Sequence, residues 1–156
     1  MIGMDAQEVS ELIREISRER AWFMGTEGRV SVSPSDIETA NKQGGIGRVE
    51  LNPGQRVVGF ACIWPERPQY EGFSHVGRLS MGVAKPYRRQ GISRRLLETV
   101  LAETKFARIE LEVFEHNEAA VALYRKFGFE TEGVKRKARF LDGKYMNIVL
   151  MALLRA

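Results

Sequence analysis

The chain has 156 residues, of which 44% are hydrophobic and 28% charged, enough apolar content for one packed domain spanning 1–156 and too much for a disordered chain. The formal charge of +4 permits an anionic ligand but demands none, and no apolar run approaches the roughly 20 residues of a membrane helix. Cys62, the only cysteine, cannot form an intramolecular disulfide, and the N-terminus lacks the apolar block of a secretory signal; both point to a cytoplasmic protein.

Asp5 can cap a first helix running to about Arg20, with Val9, Leu12, Ile13 and Ile16 on one face. After the loop "GTEGRVSVSPSD", Ser33 or Ser35 starts a short helix near Asp36 to Lys42. "QGGIGRVELNPGQRVVGFACIWPE" predicts strands Arg48 to Leu51 and Arg56 to Trp64, joined by a turn at Asn52-Pro53-Gly54. "RPQYEGFSH" is loop. "HVGRLSMGVA" is a strand whose glycines, 77 and 82, predict a bulge or a close backbone approach.

A helix follows with an apolar stripe of Ile92, Leu96, Leu97, Val100 and Leu101. "RIELEVF" alternates: Ile109, Leu111 and Val113 on one face, Glu110 and Glu112 on the other. "HNEAAVALYRKFGF" is a compact helix with Asn117 as N-cap and Gly128 as C-cap; Ala120, Tyr124 and Phe127 share a face. "GVKRKARFLDGKYMNIVLMALL" is a hairpin about Asp142-Gly143, its second arm apolar on both faces and so expected between covered strands. The order α-α-β-β-β-α-β-α-β-β predicts an α/β domain with a mixed sheet.

"GIGRVE" at Gly45 is not a dinucleotide loop: it precedes a strand and lacks the third glycine, so it reads as a turn. The two histidines, His75 and His116, lie far apart without ligands at metal spacing, which argues against a metal site and a Ser-His-Asp hydrolase. The basic run Lys135 to Arg139 has no interleaved aromatics, so it reads as the solvated face of a strand and against nucleic acid.

Between strand and helix stands Arg88-Arg89-Gln90-Gly91-Ile92-Ser93. Glycine lets a ligand approach the backbone, and the first N–H groups of a helix lack partners and carry partial positive charge. These parts suit a pyrophosphate; a capped helix with exposed basics is the plainer alternative.

"VAKPYRRQGISRRLL" followed by "LEVFEHNEAAVALYRKFGF" resembles the GNAT superfamily of acetyl-CoA-dependent N-acetyltransferases. The first piece is similar to that family's R/Q-x-x-G-x-G/A loop through Arg88 and Gly91. The second is similar to its N-x-x-A-x-x-L-Y-x-x-x-G-F signature through Asn117, Ala120, Leu123, Tyr124, Gly128 and Phe129. The resemblance spans about Arg48 to Leu154. Two features depart from the pattern: Ser93 stands where the family has Gly or Ala, and the family's first strand is not evident before Asp5.

The resemblance implies a mostly antiparallel mixed sheet flanked by helices, with a splayed parallel pair, "RLSMGV" and "RIELEVF", forming a coenzyme A cleft. It implies that Met81 and Val83 pair with the pantetheine through their main chains. It implies a pyrophosphate loop of Arg88, Arg89, Gln90, Gly91, Ile92, Ser93 and Arg94, in which the backbone N–H groups from Arg89 to Arg94 would do the holding and the arginines mainly steer. Asn117 would contact the pantetheine or cap its helix. Tyr124 would protonate the leaving thiolate, with a core tyrosine as the plain alternative. Glu112, at the place of the catalytic base in members that acetylate ribosomal-protein N-termini, would deprotonate the amine; the plain alternative is the polar half of a strand. A strand N–H near Met81 would hold the oxyanion, and no metal is required.

The implied acceptor is a primary amine: a small amine, an amino acid, or a peptide or protein amine. The ending "F-x-D-G-K-Y-x-x-x-x-L-M" resembles small-molecule members and tilts the expectation to a small amine. The acceptor pocket is expected between the first two helices and the loops around Arg67 to Phe73 and Phe140 to Lys144. A homodimer through the C-terminal strands stays open. The competing reading is a non-catalytic module that senses acyl-CoA or docks nucleic acid.

Overall fold

The computed structural model describes residues 5–19 and 33–156. Helix α1, Ala6–Ser17, begins where Asp5 accepts hydrogen bonds from the N–H groups of Gln7 and Glu8, both at 3.0 Å. It ends three residues short of the expected Arg20, which lies outside the described residues. Helix α2, Pro34–Lys42, starts with a reciprocal cap: Asp36 N–H donates to Ser33 Oγ at 3.1 Å and Ser33 N–H to Asp36 Oδ2 at 2.8 Å. The strand that the family resemblance would place before α1 falls in residues 1–4, also outside those described.

Six strands form one sheet in the order β1-β2-β3-β4-β6-β5. They are β1 (Ile46–Leu51), β2 (Val57–Pro65), β3 (Val76–Val83), β4 (Arg108–Phe114), β5 (Glu130–Leu141) and β6 (Lys144–Leu154). All neighbours are antiparallel except β3 and β4. Helix α3 (Ile92–Glu103) connects that parallel pair, and α4 (Glu118–Lys126) follows β4. As expected from its two apolar faces, β6 lies between β4 and β5.

Two boundaries move. β1 begins at Ile46, so only Gly45 of "GIGRVE" precedes the strand. β5 begins at Glu130 because its first residues already pair with Ala152 and Met151. The hairpin turn is the expected two-residue one: Leu141 pairs with Lys144, and Asp142 (φ 50°) and Gly143 (φ 77°) are both left-handed.

Glycines 77 and 82 are close approaches, not bulges, since β2 and β3 pair without a register shift. A Cβ on Gly77 would lie 2.5 Å from Phe106, and one on Gly82 would lie 2.8 Å from Ile16. The first lets Phe106 seal one face; the second lets α1 lie close against the other.

That division organises the core. α3 and α4 cover one face, with Leu96, Leu97 and Val100 fully buried against Ala61, Ile63 and Ile109. Burying each such leucine contributes roughly 2–3 kcal/mol. On the opposite face α1 packs Val9, Leu12 and Ile16 against Phe60 and Cys62. No helix among the described residues is long and apolar enough to cross a membrane.

Candidate active site

β3 and β4 pair over only three rungs, Val76 with Arg108, Gly77 with Ile109 and Arg78 with Glu110. Beyond them β3 stays with β2 to Val83, while β4 stays with β6 to Phe114. The parallel pair therefore splays apart, as the resemblance implied.

Flanking bonds fix which main-chain groups face the gap. Ala84 N–H donates to Val58 O at 2.8 Å and Glu66 N–H to Val76 O at 3.0 Å, so even-numbered residues of β3 bond β2. By antiparallel alternation, Leu79, Met81 and Val83 turn their N–H and C=O groups toward β4. On β4, Glu115 N–H donates to Asn147 O at 3.0 Å, so odd-numbered residues bond β6 and Glu112 turns its main chain toward β3. Past Arg78 and Glu110, two rows of ladder groups line one gap, where an extended ligand can hydrogen-bond as a strand would.

The glycine loop lies at the end of this gap. The turn Lys85–Tyr87 follows β3 and is held where Asn52 Nδ2 donates to Tyr87 Oη at 3.0 Å. Arg89 (φ 62°) and Gly91 (φ 78°) are left-handed, and Gly91 is the N-cap of α3 with no side-chain cap. The first bond into the helix is Arg95 N–H to Gly91 O at 3.1 Å. The N–H groups of Ile92, Ser93 and Arg94 therefore precede the first hydrogen bond of the helix, the arrangement an anion can use.

The arginines serve mostly as local braces. Arg88 donates through Nε to Val83 O at 3.0 Å and through both terminal nitrogens to Glu19 at 2.7 and 2.6 Å. It ties the end of β3 to the residues just after α1, and its fork is turned to protein. Arg94 pairs with Glu98 at 3.3 Å, and Arg95 with Glu50 at 2.6 Å and with Gln90 O at 3.1 Å. Gln90 reaches back to Pro86 O at 3.4 Å.

Tyr124, on α4, packs into the same apolar cluster that Met81 joins, with its ring 5.7 Å from that of Phe129. Burial pushes its hydroxyl up to about 12, so it stays a protonated donor throughout the neutral range. Asn117 Oδ1 accepts from Ala120 N–H at 3.3 Å, which realises the capping role.

Glu112 emerges on the other face of the sheet. Its neighbours Leu111 and Val113 point to the α3/α4 core, so the alternation of β4 sends the carboxylate to the opposite side from Tyr124. Lys135 Nζ, from β5, donates to Oε1 at 2.6 Å, and Arg78 Nη1, from β3, lies 3.7 Å from Oε2. Arg78 also bonds Glu66 at 3.0 Å, and this pairing holds its guanidinium above the ordinary arginine range. Farther along, Arg108 pairs with Glu110 at 2.8 Å and with Glu132.

Lys135, Arg78 and Glu66 carried no sequence signal, because their meeting at Glu112 depends on long-range strand order. The basic run is also less idle than a solvated face. Lys137 lies 4.8 Å from the centre of the Tyr145 ring, and Arg139 lies 5.3 Å from that of Phe114. A polar hollow of about 420 Å³ between α2, β1 and the end of α3 contains none of the predicted site residues. Among the described residues no cluster of His, Cys, Asp and Glu could hold a metal.

The family profile described as "Acetyltransferase (GNAT) family" matches residues 11–129. The chain belongs to the GNAT family of acetyltransferases. Among curated relatives, it is 38% identical to the N-alpha-acetyltransferase RimI of Mycobacterium tuberculosis over 89% of this chain and 81% of that one. It is 32% identical to the L-amino acid N-acetyltransferase AaaT of Escherichia coli over 62% of this chain and 60% of that one. Among solved structures, a ribosomal-protein-alanine N-acetyltransferase from Brucella melitensis superposes with a TM-score of 0.78, at 26% identity, covering 98% of both chains.

This GNAT protein is thus an acyl-CoA-dependent N-acetyltransferase with acetyl-CoA as co-substrate. The residues present fit that co-substrate. The open row of β3 offers strand-like pairing to an amide-bearing arm, and the uncapped N-terminus of α3 offers N–H donors to a pyrophosphate.

Proposed function

We propose that this enzyme acetylates the α-amino group of a polypeptide N-terminus. The observation that carries the reading is the placement of Glu112 and Tyr124 on opposite faces of the splay. A donor arm lying along β3 on the Tyr124 side leaves the Glu112 side for an acceptor.

Acetyl-CoA supplies an activated acetyl group with a thiolate leaving group. The chain's own residues handle the protons. Glu112 takes one proton from the acceptor ammonium, directly or through a water, and releases it to solvent. The neutral nitrogen then forms the N–C bond as the C–S bond breaks. The Met81 N–H, turned into the gap, donates to the acetyl oxygen. Tyr124 gives its proton to the departing sulfur, and the second nitrogen proton leaves to solvent, from which Tyr124 recovers its own. The net change is one proton released per amide formed.

Amine ionisation favours a peptide N-terminus over a small aliphatic amine. An α-amino group has pKa about 7.7–8.0, so a sizeable fraction is free base at pH 7.5; a lysine-like amine near about 10.4 is roughly one part in a thousand free. Similarity to the RimI protein over most of the chain supports the same class, in place of the small amine to which the C-terminal motif tilted the expectation. A free amino acid is the second reading, favoured by similarity to the AaaT protein.

Thiol release from acetyl-CoA, measured with short peptides bearing free N-termini, free amino acids and spermidine, tests this. Peptides are expected to give a kcat/KM at least tenfold above the others. Faster turnover of a free amino acid or spermidine overturns it.

A further inference from the structure

Lys135 reaches Glu112 across an intervening strand. It sits on β5 opposite Ile148, whereas Glu112 sits on β4 opposite Leu150, with β6 between them. Immediately after Lys135 the β5–β6 register shifts, and pairing resumes at Arg139. The shift is pinned in the main chain: Lys137 is left-handed (φ 52°), and its N–H donates to Asn147 Oδ1 at 2.9 Å. Asn147 Nδ2 in turn donates to Glu115 Oε1 at 3.3 Å, next to the end of β4. The bulge is therefore anchored to the strand that carries Glu112, and Lys135 is the last residue before it.

The two carboxylate oxygens of Glu112 differ. Oε1 accepts from Lys135 at 2.6 Å. Oε2 faces the β3 side, where Arg78 Nη1 forms a looser ion pair with it at 3.7 Å while Arg78 Nε and Nη2 donate to Glu66. Toward the root of the splay, Arg108 pairs with both Glu110 and Glu132. Among the described residues, the other cation paired with Glu112 is Arg78, at the root of the splay.

We propose that Lys135 is a positioning residue for the acetyl transfer: by holding Oε1 it keeps Glu112 from closing fully on Arg78, so that Oε2 is presented to the splay as the proton-accepting atom. The inference rests on the reading of Glu112 as the base. Lys135 touches neither substrate nor reacting atoms; it acts through Glu112 alone.

Steady-state kinetics on full-length Lys135→Met, Lys135→Arg, Glu112→Gln and the Lys135→Met/Glu112→Gln double variant test this, using the best peptide acceptor. Glu112→Gln is expected to lower kcat about a hundredfold. Lys135→Met should lower kcat about tenfold, leave KM for acetyl-CoA within about twofold, and leave the Tm within about 2 °C because the pair is half-exposed. Lys135→Arg should restore most of the rate, and Lys135→Met should have no further effect once Glu112 is glutamine. If Glu112→Gln leaves kcat intact, the base assignment fails, and this inference with it. If Glu112→Gln is slow but Lys135→Met is as fast as the parent, or lowers the double variant equally, Glu112 remains the base and Lys135 does not position it.

Discussion

At the scale of single residues, the proposed acid is Tyr124, a phenol that burial keeps protonated, on the same apolar face as Met81. Tyr124→Phe deletes the proton and little else. Its kcat is expected to fall about a hundredfold, with KM for acetyl-CoA within about twofold, in thiol-release assays; an unchanged kcat removes the acid assignment. Arg88 braces the glycine loop, its fork bonded to Glu19 and Val83 O. Its partner lies 69 positions away, and no local spacing announces that contact.

At the scale of elements, most of the structure was legible because local chemistry and tertiary packing agree. Asp5, Ser33, Asn117 and Asp142-Gly143 all take the capping or turn roles their residue types predict. Strict alternation in "RIELEVF" is enough to put Glu112 on the face away from the α3/α4 core. What local chemistry cannot specify is the bulge after Lys135, which needs Asn147 from the next strand. The cap role of Asn117 can be separated from any direct ligand role. Asn117→Ala is expected to cost about 1 kcal/mol, read as a lower Tm. Asn117→Asp keeps the cap and should restore the Tm; a KM for acetyl-CoA that stays raised in Asn117→Asp would assign Asn117 a contact of its own.

At the scale of the whole molecule, the fold places its chemistry by leaving a sheet unfinished. Strand order brings β3 beside β4, and three rungs later the pair parts, so two rows of main-chain groups face a gap. The family resemblance made this splay legible; composition and periodicity could not, since neither reports where two distant strands stop pairing. The core also carries a pH signature. Burial pushes both the Cys62 thiol and the Tyr124 hydroxyl up to about 12. Both groups hold protons more tightly folded than unfolded. Their contribution is therefore complete below about pH 8.5, the onset of thiol ionisation in the unfolded chain, and is lost as pH rises toward 12. Each group loses about 1.4 kcal/mol per pH unit across its own interval. Urea midpoints should fall from about pH 9 upward, and Cys62→Ala should remove the earlier part of that fall. A flat midpoint to pH 11 contradicts the burial of both groups.

Amide hydrogen exchange with and without coenzyme A tests the cleft itself. The account predicts that the amides of Met81 and Val83, and of Ile92, Ser93 and Arg94, slow on binding, because these are the N–H groups turned to the gap and to the helix entrance. Ligand binding that leaves those amides unchanged, or that protects only the hollow beside α2, would contradict it.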